Sequence, residues 1–159
     1  MALRFCVEML SFKSFNKELL MNIQAILDEL CFLTGHKKLT IKLRYHWRDD
    51  SIVYSYRKST NIFLSSRLAK VLSDGEISFC LMHEIAHKEL ETDNEYLCDA
   101  FSAQFIDPVH GVSLLQKVTK LMHWWRRRIW KAQLDDRADF LQKMVKKHPK
   151  IFKSATAQI

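Results

Sequence analysis

A single stretch near the middle of the chain restricts the fold more than any other. Ser73 and Glu76 have the spacing of a capping box, the pair of reciprocal hydrogen bonds that opens a helix. The pattern predicts a helix from Asp74 to about Glu89, and residues 77–82 of it are apolar at all but one position. Because such a helix has almost no polar face, the fold must bury it under other elements.

This apolar helix also carries ionisable side chains, in the sequence His83-Glu84-Ile85-Ala86-His87. Residues four apart share one helix face, so the imidazoles of His83 and His87 can reach one ion. Buried histidines and a buried carboxylate are costly unless something satisfies them, and a divalent cation with a water would do so. The HExxH pattern therefore predicts that the two histidines bind a metal ion and that Glu84 activates the water as a general base.

A metal site that hydrolyses peptides needs three protein ligands and one open position, so a further ligand is expected downstream. Glu95 is the predicted third ligand, because only residues 88–94 separate it from His87 and two helices joined by so short a link can fold back on each other. Asp99 lies one helical turn beyond Glu95, where it can accept a hydrogen bond from a histidine ligand. Two histidines and one carboxylate suit Zn²⁺, which is the predicted cofactor.

Other roles for these carboxylates stay open in the sequence. Glu95 also has capping-box spacing from Thr92, which would explain it without a metal. Glu91 and Asp93 are near enough to replace it as the ligand. Asp99 could be a solvated helix residue.

Four cysteines, Cys6, Cys31, Cys80 and Cys98, are widely spaced along the chain. No signal peptide is predicted, so reduced thiols and a cytoplasmic location are expected. No stretch reaches the roughly 18 uninterrupted apolar residues of a membrane span, and none is predicted. As an alternative, Cys80 and Cys98 could join the two histidines in a closed structural zinc site, which would make the protein a binding module.

The segments before the HExxH helix predict one helix and a small sheet. A helix over 14–34 precedes Gly35, and alternating apolar residues predict strands over 40–47, 51–57 and 60–65. Three strands in succession are most simply joined as an antiparallel meander. The predicted fold class is α+β, with a three-stranded antiparallel sheet packed on the HExxH helix, a glutamate helix and a backing helix, plus C-terminal helices. The third strand would be able to pair with an extended peptide.

The rest of the chain is predicted to be helical, and its end is basic. A short helix is expected over 67–72, a longer one over 92–106, and two more after Gly111. The first of these two has an apolar stripe of Val118, Leu121, Trp125 and Ile129. From Lys117 to Lys153 the chain has 12 Lys or Arg against three Asp, whereas the first 116 residues have 13 against 15.

The whole chain, residues 1–159, is predicted to be one metallopeptidase domain, with a catalytic core over 1–110 and a basic helical extension over 111–159. Residues 123–130 of the extension are aromatic and rich in arginine. Such a segment can bind nucleic acid or an anionic surface. It can equally be a helix with a buried apolar stripe and solvated arginines, or a cover that keeps the cleft latent.

Two motifs together suggest a family. HEIAH is followed by EYLCDAFSA, in which Glu95, Asp99 and Ala100 form an E-xxx-D-A pattern. These motifs resemble the gluzincin metallopeptidases, particularly the HtpX-type peptidases and their minimal soluble relatives, the minigluzincins, and small ImmA-type peptidases are similar around HExxH. The resemblance covers residues 83–103 closely and 14–106 in element order, although the spacing between the two motifs is shorter than in membrane-embedded members.

The resemblance implies a role for each residue of the motifs. His83, His87 and Glu95 would hold zinc. Glu84 would act as the general base, and Asp99 would hydrogen-bond a zinc ligand. The predicted function is a zinc-dependent endopeptidase that acts on a peptide or protein. The alternative is a nucleic-acid-binding protein that has a structural or degenerate metal site and binds through its basic helices.

A peptidase also needs a donor that stabilises the oxyanion formed at the attacked carbonyl. Four polar side chains outside the ligand set are candidates for this role, and the sequence gives no reason to choose between them. They are His110, His123, Tyr54 and Tyr56.

Overall fold

The structure, a computed structural model, describes residues 2–44, 53–55 and 59–147, with side chains placed over 17–44 and 59–147. The protein is mostly helical, and its sheet is small. In chain order the elements are α1 (Ala2–Thr34), β1 (Thr40–Arg44), β2 (Val53–Ser55), β3 (Asn61–Ser65), α2 (Ser66–Ala69), α3 (Asp74–Glu89), α4 (Glu95–Ser102), α5 (Pro108–Leu121) and α6 (Trp124–Lys147).

The sheet corrects the predicted fold class, because it is mixed and contains a parallel pair. Its strand order is β1-β3-β2, with β1 parallel and β2 antiparallel to β3. The prediction of a three-stranded antiparallel sheet is therefore wrong. Buried Ile41 of β1 is opposite buried Ile62 of β3, and this alternation of buried and exposed positions is the same for parallel and antiparallel neighbours. The alternation therefore predicts where strands occur and not how they pair.

The position of β3 at the centre of the sheet also changes the expected substrate edge. β3 pairs with a neighbour on both sides, so its backbone groups are already used by β1 and β2. The prediction that an extended peptide pairs with this strand is wrong for that reason. Residues 45–47, 51–52 and 56–57 of the predicted strands lie outside the described residues.

Helix α1 packs against β1 and α3. The Gln24 side chain ties it to β1, because its amide nitrogen donates to the carbonyl of Leu39 at 3.0 Å and its oxygen accepts from the N–H of Ile41 at 2.9 Å. As predicted, α1 ends at Thr34, and Gly35 has a φ of +70°, a left-handed conformation that glycine adopts without strain.

No helix within the described ranges has both the length and the apolar character needed to cross a membrane.

Helix α3 is the centre of the core, as its sequence predicts. The capping box of Ser73 and Glu76 is present, and the helix spans Asp74–Glu89. The Glu76 carboxylate also accepts hydrogen bonds from Ser113 Oγ at 2.6 Å and Lys117 Nζ at 2.7 Å, which ties α3 to α5. The fully buried apolar side chains of α3 include Phe79, Leu81, Met82 and Ile85.

The C-terminal helices divide at a different place from the one predicted. α5 ends at Leu121, and the Arg127 guanidinium of α6 donates to the carbonyls of Lys120 and Met122 at 2.6 and 3.1 Å. These bonds satisfy carbonyls at the end of α5 that have no helical partner. The predicted apolar stripe is therefore wrong beyond Leu121, because its last two members belong to α6 and are exposed. The division of the chain at residue 110 stays a prediction.

Candidate metal centre

The structure brings three predicted ligands together between α3 and α4. Nε2 of His83 lies 3.1 Å from Nε2 of His87 and 3.1 Å from Oε2 of Glu95. Nε2 of His87 lies 3.5 Å from the other carboxylate oxygen of Glu95. His83, His87 and Glu95 thus form a possible metal-binding group, with all three ligand atoms within 4.8 Å of one another.

The spacing of these atoms fits a four-coordinate divalent ion. Metal–ligand bonds of about 2.0–2.2 Å at tetrahedral angles place any two ligand atoms about 3.3–3.6 Å apart. The two histidine nitrogens are 3.1 Å apart, and each lies near that range from one Glu95 oxygen, His83 at 3.1 Å from Oε2 and His87 at 3.5 Å from Oε1.

A backbone carbonyl sets the orientation of His87. Nδ1 of His87 lies 2.8 Å from the carbonyl oxygen of Thr92, in the link between α3 and α4. Since a carbonyl oxygen accepts and does not donate, Nδ1 carries the proton in this hydrogen bond. Nε2 then presents a lone pair to the ligand cluster, which is the tautomer that metal binding requires.

His83 is held from its other side by Asp99. Nδ1 of His83 lies 2.9 Å from Oδ1 of Asp99, although it is off the direction of a linear hydrogen bond. Burial lowers the pKa of His83, but the carboxylates of Asp99 and Glu95 outweigh burial and raise the pKa to about 9. Asp99 is 0% exposed, so the alternative that it is a solvated residue is wrong.

Glu95 reaches the histidines because another residue caps α4. The side-chain oxygen of Asn94 accepts from the N–H groups of Tyr96 and Leu97 at 3.0 and 3.2 Å, so Asn94 is the N-cap. The alternative that Glu95 serves in a capping box with Thr92 is therefore wrong. Burial raises the pKa of Glu95, but the neighbouring His83 and Arg137 lower it by more. The net pKa is therefore below the usual value, and Glu95 is present as a carboxylate.

The other two candidate carboxylates of the link do not join this group. Glu91 and Asp93 are exposed, and neither belongs to the metal-binding group found in the described residues. Both residues precede α4, and its first residue, Glu95, is the one that contacts His83. Glu91 and Asp93 are closer to His87 in the sequence than Glu95 is, but it is Glu95 that lies against the histidines.

Arg137 of α6 completes the site, and the sequence analysis missed it. Its Nε and Nη2 donate to the two carboxylate oxygens of Asp99, both at 2.7 Å, and its Nη1 donates to Oε2 of Glu95 at 2.6 Å. Burial raises the pKa of Asp99, but the bidentate contact with Arg137 and the nearby His83 lower it by more, so Asp99 stays charged.

A sequence signal for Arg137 did exist. It lies three residues after Leu134 and four before Leu141, which places it on the apolar face of α6 between a half-buried and a fully buried leucine. An arginine on a buried face needs a carboxylate partner. The pattern could therefore have predicted an ion pair, although not which carboxylate it meets.

Cys80 and Cys98 do not belong to the metal-binding group found in the described residues. Sγ of Cys98 lies 3.3 Å from Nδ1 of His87, on the side of the ring away from the cluster. Burial, followed by the carboxylates of Glu95 and Asp99, raises the pKa of the Cys98 thiol to about 12. Burial also raises the pKa of Cys80. Because Sγ of Cys98 lies against Nδ1 of His87, and the described ligand group contains neither Cys80 nor Cys98, the geometry does not favour the alternative of a closed four-ligand site.

Glu84 follows His83 on α3 and is 6% exposed. No residue in the described parts of the chain forms a hydrogen bond or an ion pair with its carboxylate, whereas Asp99 and Glu95 are both held by Arg137. Among the described residues, Glu84 is thus a nearly buried acid without a hydrogen-bond or ion-pair partner, and its charge partly offsets the lowering of the Lys88 pKa by burial, one turn along α3. A carboxylate without such a partner is available to accept a proton from a bound water.

Two of the four candidate oxyanion donors, His110 and His123, lie away from the site. The ring of His110 packs on Gly75, about 12 Å along α3 from His83 at a rise of about 1.5 Å per residue. His123 precedes α6, about 20 Å along that helix from Arg137 by the same measure. The side chain of Tyr54 and the whole of Tyr56 lie outside the described residues.

Comparisons of the sequence with known proteins identify no family for this chain. A scan of the chain against protein-family models found no match. A search of curated proteins also found none. The resemblance to gluzincins stays a prediction.

Proposed function

We propose that this protein is a zinc-dependent endopeptidase. The observation that carries the proposal is the convergence of His83, His87 and Glu95, close enough to share one zinc ion, next to a buried Glu84 that has no hydrogen-bond or ion-pair partner among the described residues. Two imidazoles and one carboxylate leave a fourth position for water, as in hydrolytic zinc sites. Peptide is the proposed substrate because the HEIAH and E-xxx-D-A motifs resemble those of gluzincins.

The residues of the site divide the chemistry between them. When bound, zinc lowers the pKa of a water toward ~7 and polarises the substrate carbonyl. Glu84 accepts the proton of that water as it attacks, and returns a proton to the departing amine. Glu84 is available for both steps, since Arg137 binds Glu95 and Asp99, and no hydrogen bond or ion pair holds the Glu84 carboxylate within the described part of the chain.

The neighbours of the ligands hold the site in shape. The backbone carbonyl of Thr92 accepts a hydrogen bond from Nδ1 of His87, and Asp99 lies against Nδ1 of His83. Both rings therefore direct Nε2 toward the cluster. Arg137 supports Asp99 through two hydrogen bonds and Glu95 through one. The arginine also offsets part of the negative charge of two carboxylates that are close together.

The proposal is tested by measuring zinc content and hydrolysis of an unfolded protein substrate on the same samples. Wild type should contain about one zinc per chain, and His83→Ala and Glu95→Ala should lose the metal and the activity together. Glu84→Gln should keep the metal but lose hydrolysis by about 100- to 10,000-fold, since only the proton acceptor is removed. Glu91→Gln, an exposed carboxylate in the same link, is the matched control and should change neither quantity.

Two results would contradict the proposal in different ways. A folded wild type that takes up no zinc in a titration would remove the metal site itself. A wild type that binds zinc without hydrolysing any substrate, and binds RNA with a steep dependence on salt, would favour the nucleic-acid-binding alternative instead.

A further inference from the structure

The first two turns of α6 leave an unusual set of apolar side chains exposed. Trp124 is 71% exposed, Trp125 44%, Ile129 65% and Trp130 49%, all within seven consecutive residues. Single exposed apolar residues are normal on a protein surface, but a cluster of four large ones commonly marks an interaction site. We refer to these four residues, together with Arg128 and Lys131, as the tryptophan patch.

The tryptophan patch lies in the most basic part of the described chain. From Lys117 to Lys131 there are six Lys or Arg and no Asp or Glu. Arg128 and Lys131 are exposed on the same side of α6 as Trp124, four and seven residues after it. Lys131 also pairs with the exposed Asp135, a contact that contributes little at the surface. The surface of the first two turns of α6 therefore carries both large apolar side chains and cations.

The combination of residues indicates which partner fits. Tryptophan and arginine alone would suit stacked bases, but Ile129 cannot stack, and it is the second most exposed of the four apolar residues. Ile129 and Trp125 are four residues apart, so they share a helix face that gains most from contact with hydrocarbon. Tryptophan prefers the boundary between headgroups and acyl chains, and Lys and Arg are attracted to anionic headgroups.

We propose that the tryptophan patch binds the surface of a bilayer that contains anionic phospholipids. Trp124, Trp125 and Ile129, which lie within about 140° of the α6 circumference, enter the headgroup boundary, Trp130 lies at its flank, and Arg128 and Lys131 contact the lipid phosphates. Arg137 lies seven residues beyond Trp130, about 10 Å along α6. Binding through the patch would therefore hold the candidate metal centre close to the membrane surface. The proposal does not depend on the metal chemistry.

The test uses the full chain and two kinds of vesicle, phosphatidylcholine alone and phosphatidylcholine mixed with phosphatidylglycerol. Wild type should float with the mixed vesicles, bind the neutral ones at least tenfold more weakly, and shift its tryptophan emission to shorter wavelength on binding. The double variant Arg128→Glu, Lys131→Glu should weaken binding by well over tenfold, since each basic residue contributes about fivefold near an anionic surface. Trp124→Gln with Ile129→Gln should also lose most of the binding.

Matched controls separate the patch from general charge and hydrophobicity. Lys146→Glu with Lys147→Glu makes the same charge change at the other end of α6, where both lysines are exposed. Phe32→Gln removes an apolar side chain that is 85% exposed on α1. Both controls should bind mixed vesicles within about twofold of the wild type, because neither changes a cation of the patch.

Three outcomes would overturn the proposal. Equal losses in the Lys146/Lys147 control would mean that the basic tail acts without the patch. Binding of single-stranded RNA, but not vesicles, that is lost in the Arg128/Lys131 variant would assign the patch to nucleic acid. A dimer in solution that dissociates in the Trp124/Ile129 variant, without vesicle binding by the wild type, would assign it to a second copy of the chain.

Discussion

Arg137 stabilises a pair of carboxylates that would otherwise be costly to bury. Asp99 is fully buried, and removal of one member of a buried ion pair leaves an uncompensated charge in a low dielectric. The two hydrogen bonds to Asp99 and the one to Glu95 also hold these side chains against His83. At the scale of the residue, one guanidinium thus links the stability of the core to the geometry of the candidate metal centre.

Replacement of Arg137 should therefore affect stability and metal affinity together. We expect Arg137→Met to lower the free energy of unfolding of the metal-free protein by about 3–5 kcal/mol, because the charge of Asp99 loses its partner. The affinity for zinc should fall by about 10- to 100-fold, as for other residues that orient ligands. Urea unfolding with a chelator and a zinc competition titration measure the two effects.

Arg128→Met is the matched control, since Arg128 is an exposed arginine on the same helix. It should leave both quantities close to the wild type. A second variant, Arg137→Met with Asp99→Asn, should recover part of the stability because the buried charge is removed with its partner. Wild-type stability and zinc affinity in Arg137→Met would contradict the role assigned to the guanidinium.

Helix α3 is stabilised at its N-terminus by a carboxylate that also joins it to α5. Burial raises the pKa of Glu76, but hydrogen bonds from Lys117, Ser113 and Ser73 lower it by more. A folded-state pKa below the unfolded value means that the ionised form stabilises the protein. At the scale of the element, the capping box therefore does more than begin the helix that carries the HExxH motif.

This arrangement predicts a pH dependence with a definite sign. The contribution of Glu76 should be fully present above its unfolded pKa of about 4.3, and lost as the pH falls through the lower folded value. At neutral pH, Glu76→Gln should be about 1–3 kcal/mol less stable than wild type, and the difference should shrink below pH ~4. Urea unfolding of both proteins in the presence of a chelator, from neutral to acidic pH, measures it.

Glu18→Gln serves as the comparison, because Glu18 is an exposed glutamate on α1. Its stability should follow the wild type at every pH. A constant difference between wild type and Glu76→Gln across the acidic range would mean that Glu76 acts through packing and not through its charge.

Close packing of α5 brings α6 to the site. A Cβ atom at Gly111 would lie 2.6 Å from the ring of Phe79 and 2.8 Å from Cδ1 of Leu141, both shorter than any normal contact. The absence of a side chain at Gly111 thus allows α5 to pack between α3 and α6. On the scale of the whole molecule, this contact sets where α6, and with it Arg137, lies relative to α3 and α4.

Gly111→Ala should therefore disturb more than the local packing. We expect a loss of about 1–3 kcal/mol in the free energy of unfolding from overpacking, and a weaker affinity for zinc because α6 has to move. Gly35→Ala is the control, since it costs about 1 kcal/mol through its positive φ but has open space and lies away from the site. A zinc titration of both folded variants should show reduced affinity in Gly111→Ala alone.

The sequence by itself determined the features that depend on residues close together in the chain. The capping box at Ser73 and the apolar run after it predict α3 at its observed limits. His83 and His87 share a helix face by their spacing, and the short link of residues 88–94 keeps Glu95 within reach. Helix periodicity and short loops are local properties, so a pattern of neighbouring residues is sufficient to predict them.

Only the tertiary structure decided which distant residues meet. The order of the strands depends on how they pack, since alternation of apolar residues is the same for either direction of pairing. Arg137 meets Asp99 across 38 positions of the chain, and the break between α5 and α6 places Trp125 and Ile129 at the surface. Long-range contacts depend on the packing of whole helices, which no local pattern of charge or hydrophobicity specifies.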